Sequence, residues 1–332
     1  MKLITMIISW GKEILKFCPR IRRKKLVERP FLIIGHRGSP TVEVENTIPS
    51  FEKALNENAN ALEMDICLTK DKIPVIYHDW DPGSMVSIFR QKGFEPYMKY
   101  KPIPPVDKYF KPINQLTLKE IREQYHFTLK ENGDGEKVSA VIPTLEEFFV
   151  WSAGKENLKY VFLDIKVPSD EAALVSIIVE KVQEFKSKYQ TKFEIVHETA
   201  EQEVLAVMKK LYPQNNYLLD TDVPPGIILN PKKHSAVTAA LEKKNQFALM
   251  MRPRQVTIGS WTTYRRVMKS DIKIIIKMIK QSLDSTVNYL VCATISDKHE
   301  MKCLVKMGIN GIMTDYPALL RTVVEKYNRE IA

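Results

Sequence analysis

The sequence predicts a single α/β barrel of the TIM-type (β/α)8 class, and three observations lead there. From residue 30 onward, short apolar runs of strand length alternate with amphipathic runs at helical spacing, the pattern of parallel strands joined by crossover helices. Several of those runs end in polar or charged residues, as at His36-Arg37, His78-Asp79 and Lys166, which suits a barrel whose chemistry gathers at the C-terminal ends of its strands. The length of 332 residues accommodates one barrel of about 250 residues with additions. The expected segmentation is an amphipathic, basic N-terminal segment over 1–29 and a barrel over 30–332. A long insertion, acting as a lid at 81–115, is expected to follow the second strand region.

The N-terminal segment runs from an apolar stretch over Leu3 to Trp10, through Ile14, Leu15 and Phe17, to the basic cluster Arg20, Arg22, Arg23, Lys24 and Lys25. Residues 1–25 hold eight basic side chains and one acid, so they supply +7 of the formal +10. The apolar stretch falls short of the roughly 20 residues that span a bilayer, and no small-residue cleavage site follows it. An amphipathic helix lying on an anionic membrane fits this pattern, and a helix capping the barrel floor is the alternative. The rest of the chain is nearly neutral and lacks a basic stripe with interleaved aromatics, which excludes nucleic acid as a partner. Cys18, Cys67, Cys292 and Cys303 form no CxxC pair, so reduced thiols and a cytoplasmic location, peripheral at the membrane, are expected.

The first barrel strand is read at Phe31 to Ile34, with His36-Arg37-Gly38 at its exit. Asn46-Thr47 and Pro49 signal a helix start, and Phe51, Ala54 and Leu55 give that helix its apolar face. In Ala61 to Cys67, strand alternation puts Glu63, Asp65 and Cys67 on one face. Two carboxylates aimed at one point repel unless a cation lies between them, so a hard divalent metal, Mg²⁺ or Ca²⁺, is expected there. Pro74 to Tyr77 then delivers His78-Asp79. Two histidines that titrate near neutrality can divide acid and base work, and Arg37 can hold a phosphate oxygen. Together these residues make a phosphodiester-cleaving constellation.

From Asp81 to about Lys111 the chain is rich in Pro, Gly and Lys, without sustained periodicity, and carries Tyr97, Tyr100, Tyr109 and Phe110. It reads as a functional lid or a surface loop packing its own aromatics. A short helix at 116–121 and a polar turn at 131–136 follow. Thr144 with Glu147 forms a capping box for a helix bearing Leu145, Phe148, Phe149 and Trp151. The strand Tyr160 to Lys166 sets Asp164 and Lys166 on one face. Further strands are expected at 192–197, 217–220, 247–251, 288–295 and 311–314, and helices at 200–210, 232–244, 264–283, 297–307 and 317–327. His197, Asp220, Arg252 and Arg254 fall near strand exits and are candidates for supporting the site. His126, His234 and His299 read as surface or helix residues.

Gly35-His36-Arg37-Gly38, Glu45-Asn46-Thr47, Glu63-x-Asp65, Thr69-Lys70-Asp71 and His78-Asp79, in this order, resemble the glycerophosphodiester phosphodiesterase family. The likeness continues through Ile142-Pro143-Thr144-Leu145-Glu146-Glu147, Leu163-Asp164-Ile165-Lys166 and Gly308 to Pro317. It implies a metal-dependent hydrolysis of glycerophosphodiesters to glycerol 3-phosphate and an alcohol. By the same likeness Glu63, Asp65 and Asp164 hold one divalent cation, with Asp164 standing where Glu is usual. Lys166 faces the phosphate, and His36 and His78 are the general acid and base. Two stretches depart from the family pattern: Ala293-Thr294-Ile295-Ser296 replaces a Trp-Thr-Val-Asn motif, and Trp80-Asp81-Pro82-Gly83 lacks an arginine often found there. Both lie where a leaving alcohol or lipid is read. Lysophospholipase D action on a membrane lysophospholipid is therefore the first alternative, and a non-catalytic barrel that binds phospholipid headgroups is the second.

Overall fold

The computed structural model describes residues 30–132, 135–220, 247–251, 255–258, 261–264 and 289–327. The basic segment 1–29, the helix expected at 232–244, all but the first residue of that expected at 264–283, and His234, Arg252 and Arg254 lie outside the described residues. The chain forms two compact units: Ile34–Leu219 with Asp315–Ala318, and Met1–Ile33 with Asp220–Thr314 and Leu319–Ala332. Both are built from parallel strands alternating with helices, the α/β organisation of the TIM type that the sequence predicts.

In the first unit the end of β1 (Leu32–Gly35) leads through α1 (Ile48–Asn56) to β2 (Ala61–Leu68) and the short β3 (Pro74–Ile76). Next come α2 (Met85–Gln91), β4 (Tyr100–Ile103), α3 (Leu118–Gln124), β5 (His126–Leu129) and β6 (Lys137–Val138). Strand–helix alternation resumes with α4 (Leu145–Ser152), β7 (Tyr160–Ile165), α5 (Val175–Lys188), β8 (Glu194–Thr199), α6 (Gln202–Leu211) and β9 (Asn216–Leu219). β2, β7, β8 and β9 are parallel neighbours in that order, and Ile34 of β1 pairs with Ala61 on the other side of β2. Every residue of β2 is buried, as a strand covered on both faces requires.

Local chemistry explains the helix starts. Thr47, rather than Asn46, is the N-cap of α1 and accepts from the Ser50 amide. The Thr144 box closes as expected, with the Glu147 amide donating to Thr144 Oγ1 at 3.1 Å and the Thr144 amide donating to Glu147 Oε2 at 2.7 Å. Phe51 of α1 meets Phe148 of α4 edge to face at 5.5 Å, and Phe149 of α4 continues the contact to Phe185 of α5 at 5.8 Å. Successive helices are thus sewn together by buried rings, each contact worth about 0.5–1.5 kcal/mol beyond area burial.

The insertion is more ordered than its sequence suggests. It contains α2 and β4, and β4, β5 and β6 form a separate antiparallel sheet that alternation did not reveal. His126 accordingly lies in a strand rather than a helix. A satellite core that includes Cys67, Tyr77, Ile113, Leu116, Tyr125 and Phe127 anchors this region to β2 and β3, with the Tyr77 and Tyr125 rings edge to face at 5.6 Å.

In the second unit, β10 (Phe247–Met251), β13 (Tyr289–Ala293) and β14 (Gly311–Thr314) are parallel, and β11 (Gln255–Ile258) pairs antiparallel with β12 (Trp261–Tyr264). Tyr264 therefore ends a strand instead of opening the expected helix. α7 (Lys298–Met307) starts on Asp297, which accepts from the His299 and Glu300 amides at 2.9 and 3.0 Å, and ends on Gly308 at φ 94°. α8 (Pro317–Lys326) closes the described chain, its first two residues belonging to the first unit.

Candidate active site

His36, Arg37, Glu63, Asp65, His78, Asp164 and Lys166 all lie in the first unit, on or just beyond β1, β2, β3 and β7. Asp65 of β2 and Asp164 of β7 are direct register partners, so their side chains share a face, and Glu63 sits two residues earlier on it. One carboxylate oxygen from each of the three lies within 4.8 Å of the others. That span is about twice a Ca²⁺–oxygen bond, and three carboxylates are the hard oxygen donors that Mg²⁺ or Ca²⁺ prefers, so the residues fit such a cation.

Two tight turns bring the remaining groups to this face. After β1 the chain turns sharply: Arg37 has φ 52° and Gly38 φ 90°, which aims the Arg37 amide at Glu63 Oε2, 2.8 Å away. A Cβ on Gly38 would stand 2.4 Å from Ser50 Oγ, so only glycine fits. After β2, Thr69 Oγ1 donates to Asp71 at 2.6 Å and accepts from the Ile73 amide at 2.9 Å, closing the hairpin to β3. The chain then runs back antiparallel to β2, and the Tyr77 amide donates to the Asp65 carbonyl at 3.0 Å. His78 is returned in this way to the level of Asp65.

Each histidine is held through Nδ1 by a carboxylate. His36 Nδ1 lies 2.7 Å from Asp315 Oδ1, and His78 Nδ1 lies 2.6 Å from Asp79 Oδ1. Nε2 is left in both rings for exchange with a bound molecule. Their surroundings differ in sign. Burial and Arg37 pull the His36 pKa down, yet the Asp315 bond and charge, with Glu63 behind, outweigh them and the net direction is up. Burial, then Arg37 and Arg90, push His78 well below the ordinary histidine value.

The carboxylates are under comparable strain. Burial and the charge of Asp65 push the Glu63 pKa up to about 8. Burial also works against ionised Asp65, but Lys166 and Arg37 more than compensate and hold its pKa well below the usual range. Lys166 Nζ stands 2.9 Å from Asp65 Oδ1 and bonds Asp164 as well. Asn46, expected as a cap, instead donates to Asp65 Oδ2 at 2.7 Å. A group of acids in which one is forced toward neutrality is relieved by a divalent cation.

Two further side chains, Arg90 and Glu95, join from places the sequence did not mark. Arg90 of α2, 3% exposed, donates from Nε to Asp79 Oδ1 at 2.9 Å and also bonds Glu45 and Glu95. Glu95, from the same insertion, accepts from Arg37 at 2.9 Å, and Glu45 accepts from it at 3.0 Å. The guanidinium expected to meet phosphate is thus embedded among carboxylates. Asp315, within the Gly308 to Pro317 stretch, orients His36. Of the supporting candidates, His197 is buried on the opposite face of β8, its ring 5.7 Å from that of Tyr217. Its neighbour Glu198 is the register partner of Asp164 and shares the face of the acids. Asp220 lies just past β9, and Asp81 serves its own turn by accepting from the Gly83 amide at 2.8 Å.

Residues 36–319 match the model of the glycerophosphoryl diester phosphodiesterase family. Glycerophosphodiester phosphodiesterase domain-containing protein 4 of Macaca fascicularis is 28% identical over 171 residues, 50% of this chain, which spans only 26% of that protein. The rat protein Lysophospholipase D GDPD1 is 23% identical over 305 residues, covering 87% of this chain and 84% of its own. Among solved structures, a provisionally named glycerophosphoryl diester phosphodiesterase of Silicibacter pomeroyi superposes with TM-score 0.68 at 18% identity, over 96% of this chain and 98% of its own. A phosphodiesterase of Oleispira antarctica in complex with sn-glycerol-3-phosphate superposes with TM-score 0.60 at 16% identity, over 90% and 98%. At these identities the structures establish a shared fold.

Proposed function

The chain belongs to the glycerophosphoryl diester phosphodiesterase family, and on that premise we propose that it hydrolyses a glycerophosphodiester to glycerol 3-phosphate and an alcohol. One observation carries the reading: a three-carboxylate cation site stands beside two histidines driven in opposite pKa directions. The product held by the Oleispira antarctica phosphodiesterase supports glycerol 3-phosphate as the product here.

His78, kept neutral, accepts at Nε2 the proton of the nucleophile, a water or the substrate's own 2-hydroxyl. The new phosphorus–oxygen bond forms as the bond to the alcohol breaks, and His36, whose pKa Asp315 raises, donates its Nε2 proton to the leaving oxygen. The positive charges of Arg37 and Lys166 draw the phosphate oxygens. A Mg²⁺ or Ca²⁺ ion on Glu63, Asp65 and Asp164 supplies Lewis-acid neutralisation of the phosphate when bound. If the 2-hydroxyl attacks, a cyclic phosphate forms first and water opens it. The basic N-terminal segment supports a position at the cytoplasmic face of a membrane.

A second reading, lysophospholipase D action, is favoured by the rat relative of that name and by the absence of tryptophan from Ala293 to Ser296. A diester panel separates them. Glycerophosphocholine, glycerophosphoethanolamine and glycerophosphoinositol are each paired with their lysolipid, and phosphorus NMR reads the product. Release of glycerol 3-phosphate from the deacylated diesters supports the first reading. Turnover confined to lysolipids, with lysophosphatidic acid released, supports the second. Silence on every diester favours a headgroup-binding protein instead.

A further inference from the structure

α2 is built inside out. Its two buried residues are polar, Ser87 and Arg90, while Met85, Val86, Ile88 and Phe89 face solvent. Met85 is 72% exposed and Val86 57%, values that belong to a protein surface with something to bind rather than to a helix packed for stability. The apolar surface continues onto Phe94, whose ring lies 5.9 Å from that of Phe89, and onto Phe110 farther along the insertion. The inversion has a cause: Arg90 is drawn inward by Asp79, Glu45 and Glu95, so the rest of a short helix must turn outward.

The surroundings identify the occupant. Lys92, Lys99 and Lys108 are exposed in the same segment, against a single exposed acid, Asp107. An apolar patch in a segment whose exposed charges are lysines in all but one case complements a membrane surface, where acyl chains take the apolar side chains and anionic headgroups take the ammonium groups. No helix among the described residues is long and apolar enough to cross a membrane. The patch is also wired to the site, because the helix that carries it holds Asp79, which holds His78.

We propose that the apolar face of α2 docks the protein on an anionic lipid–water interface, so that a lysolipid diester enters the site from the membrane. The inference rests on the reading of the site as a glycerol phosphodiesterase and adds diesters that reside in lipid to the soluble ones that reading gives it.

The test uses the full chain and phosphatidylcholine vesicles containing phosphatidylserine, with binding read by flotation. Val86→Asp combined with Phe89→Asp leaves Ser87 and Arg90 in place and changes only exposed side chains. Vesicle affinity is expected to fall at least about tenfold, since two apolar side chains no longer enter the lipid. Turnover of soluble glycerophosphocholine and the unfolding temperature are expected to stay unchanged. A second variant, Val86→Trp, should gain fluorescence quenched by brominated lipid beyond that of the unsubstituted protein. Undiminished vesicle binding by the double variant, or no added quenching in the tryptophan variant, overturns the proposal. So does a dimer that the double variant disperses while lipid binding persists, because the patch then serves a second copy of the chain. Vesicle affinity is read without turnover, so patch-dependent binding by a protein inactive on every diester would support docking while contradicting the diesterase reading.

Discussion

The two histidines belong to two regions of the first unit that solve the same problem with opposite electrostatics. His36 stands at the exit of a buried strand, and its Nδ1 partner Asp315 raises its pKa against the pull of burial. His78 stands where the insertion begins, and its partner Asp79 is itself held by Arg90 from α2. The Asp315 carboxylate, by hydrogen bond and by charge, makes the His36 ring easier to protonate. At His78 burial, then the charges of Arg37 and Arg90, prevail, and its pKa falls below the ordinary value. On the proposed mechanism one element prepares the proton donor and the other the proton acceptor, and Arg90 of the insertion takes part in setting the difference.

The largest effect should come from removing either ring. His36→Ala and His78→Ala are each expected to lower kcat about 10²–10⁴-fold with the unfolding temperature preserved. Near-normal turnover in both variants would end the comparison, because neither region would then serve a proton transfer. Arg90→Met probes the insertion side alone. It takes from Asp79, Glu45 and Glu95 the buried arginine that all three share, and a loss of about 3–5 kcal/mol in denaturant unfolding is expected. It also removes a charge that lowers the His78 pKa, so the acid limb of kcat/KM should move to higher pH. An unmoved acid limb would reduce Arg90 to a structural clamp.

His197 supplies a control on the opposite face of β8. Burial pushes its pKa down from 6.5 to about 4, so between those values the unfolded chain binds the extra proton and stability falls as pH falls. The contribution is complete above pH 6.5 and its loss amounts to something on the order of 3 kcal/mol near pH 4. His197→Gln should flatten that part of the stability curve and leave the limbs of kcat/KM where they are. The gentlest substitution, Asp315→Asn, removes the group that raises His36, so the alkaline limb should move to lower pH. Arg90→Met and Asp315→Asn would thus narrow the pH profile from opposite sides.

The strand-borne half of this site is legible in the sequence and the insertion-borne half is not. Alternation in Ala61 to Cys67 puts Glu63 and Asp65 on one face, and alternation in Tyr160 to Lys166 does the same for Asp164 and Lys166. That the two strands are neighbours, with Asp65 and Asp164 in register, comes from the fold. Alternation works there because neighbouring strands repeat one geometry. It fails for Arg90 and Glu95, since a helix with polar residues inward presents the reverse of the pattern by which helices are recognised. Glu198 is open to the same alternation that places Asp164, but the more conspicuous His197 beside it lies on the other face of β8. Asn46 reads as a cap because Asn and Thr share that role. Its φ of 57° and its bond to Asp65 depend on a turn that no local periodicity marks.

The most direct test of the central claim is phosphorus NMR of glycerophosphocholine with EDTA-stripped protein, before and after Mg²⁺ or Ca²⁺ is restored. The account predicts that glycerol 3-phosphate appears at least about a hundredfold faster once the cation is present. A protein that binds the cation by calorimetry yet releases no glycerol 3-phosphate would contradict it.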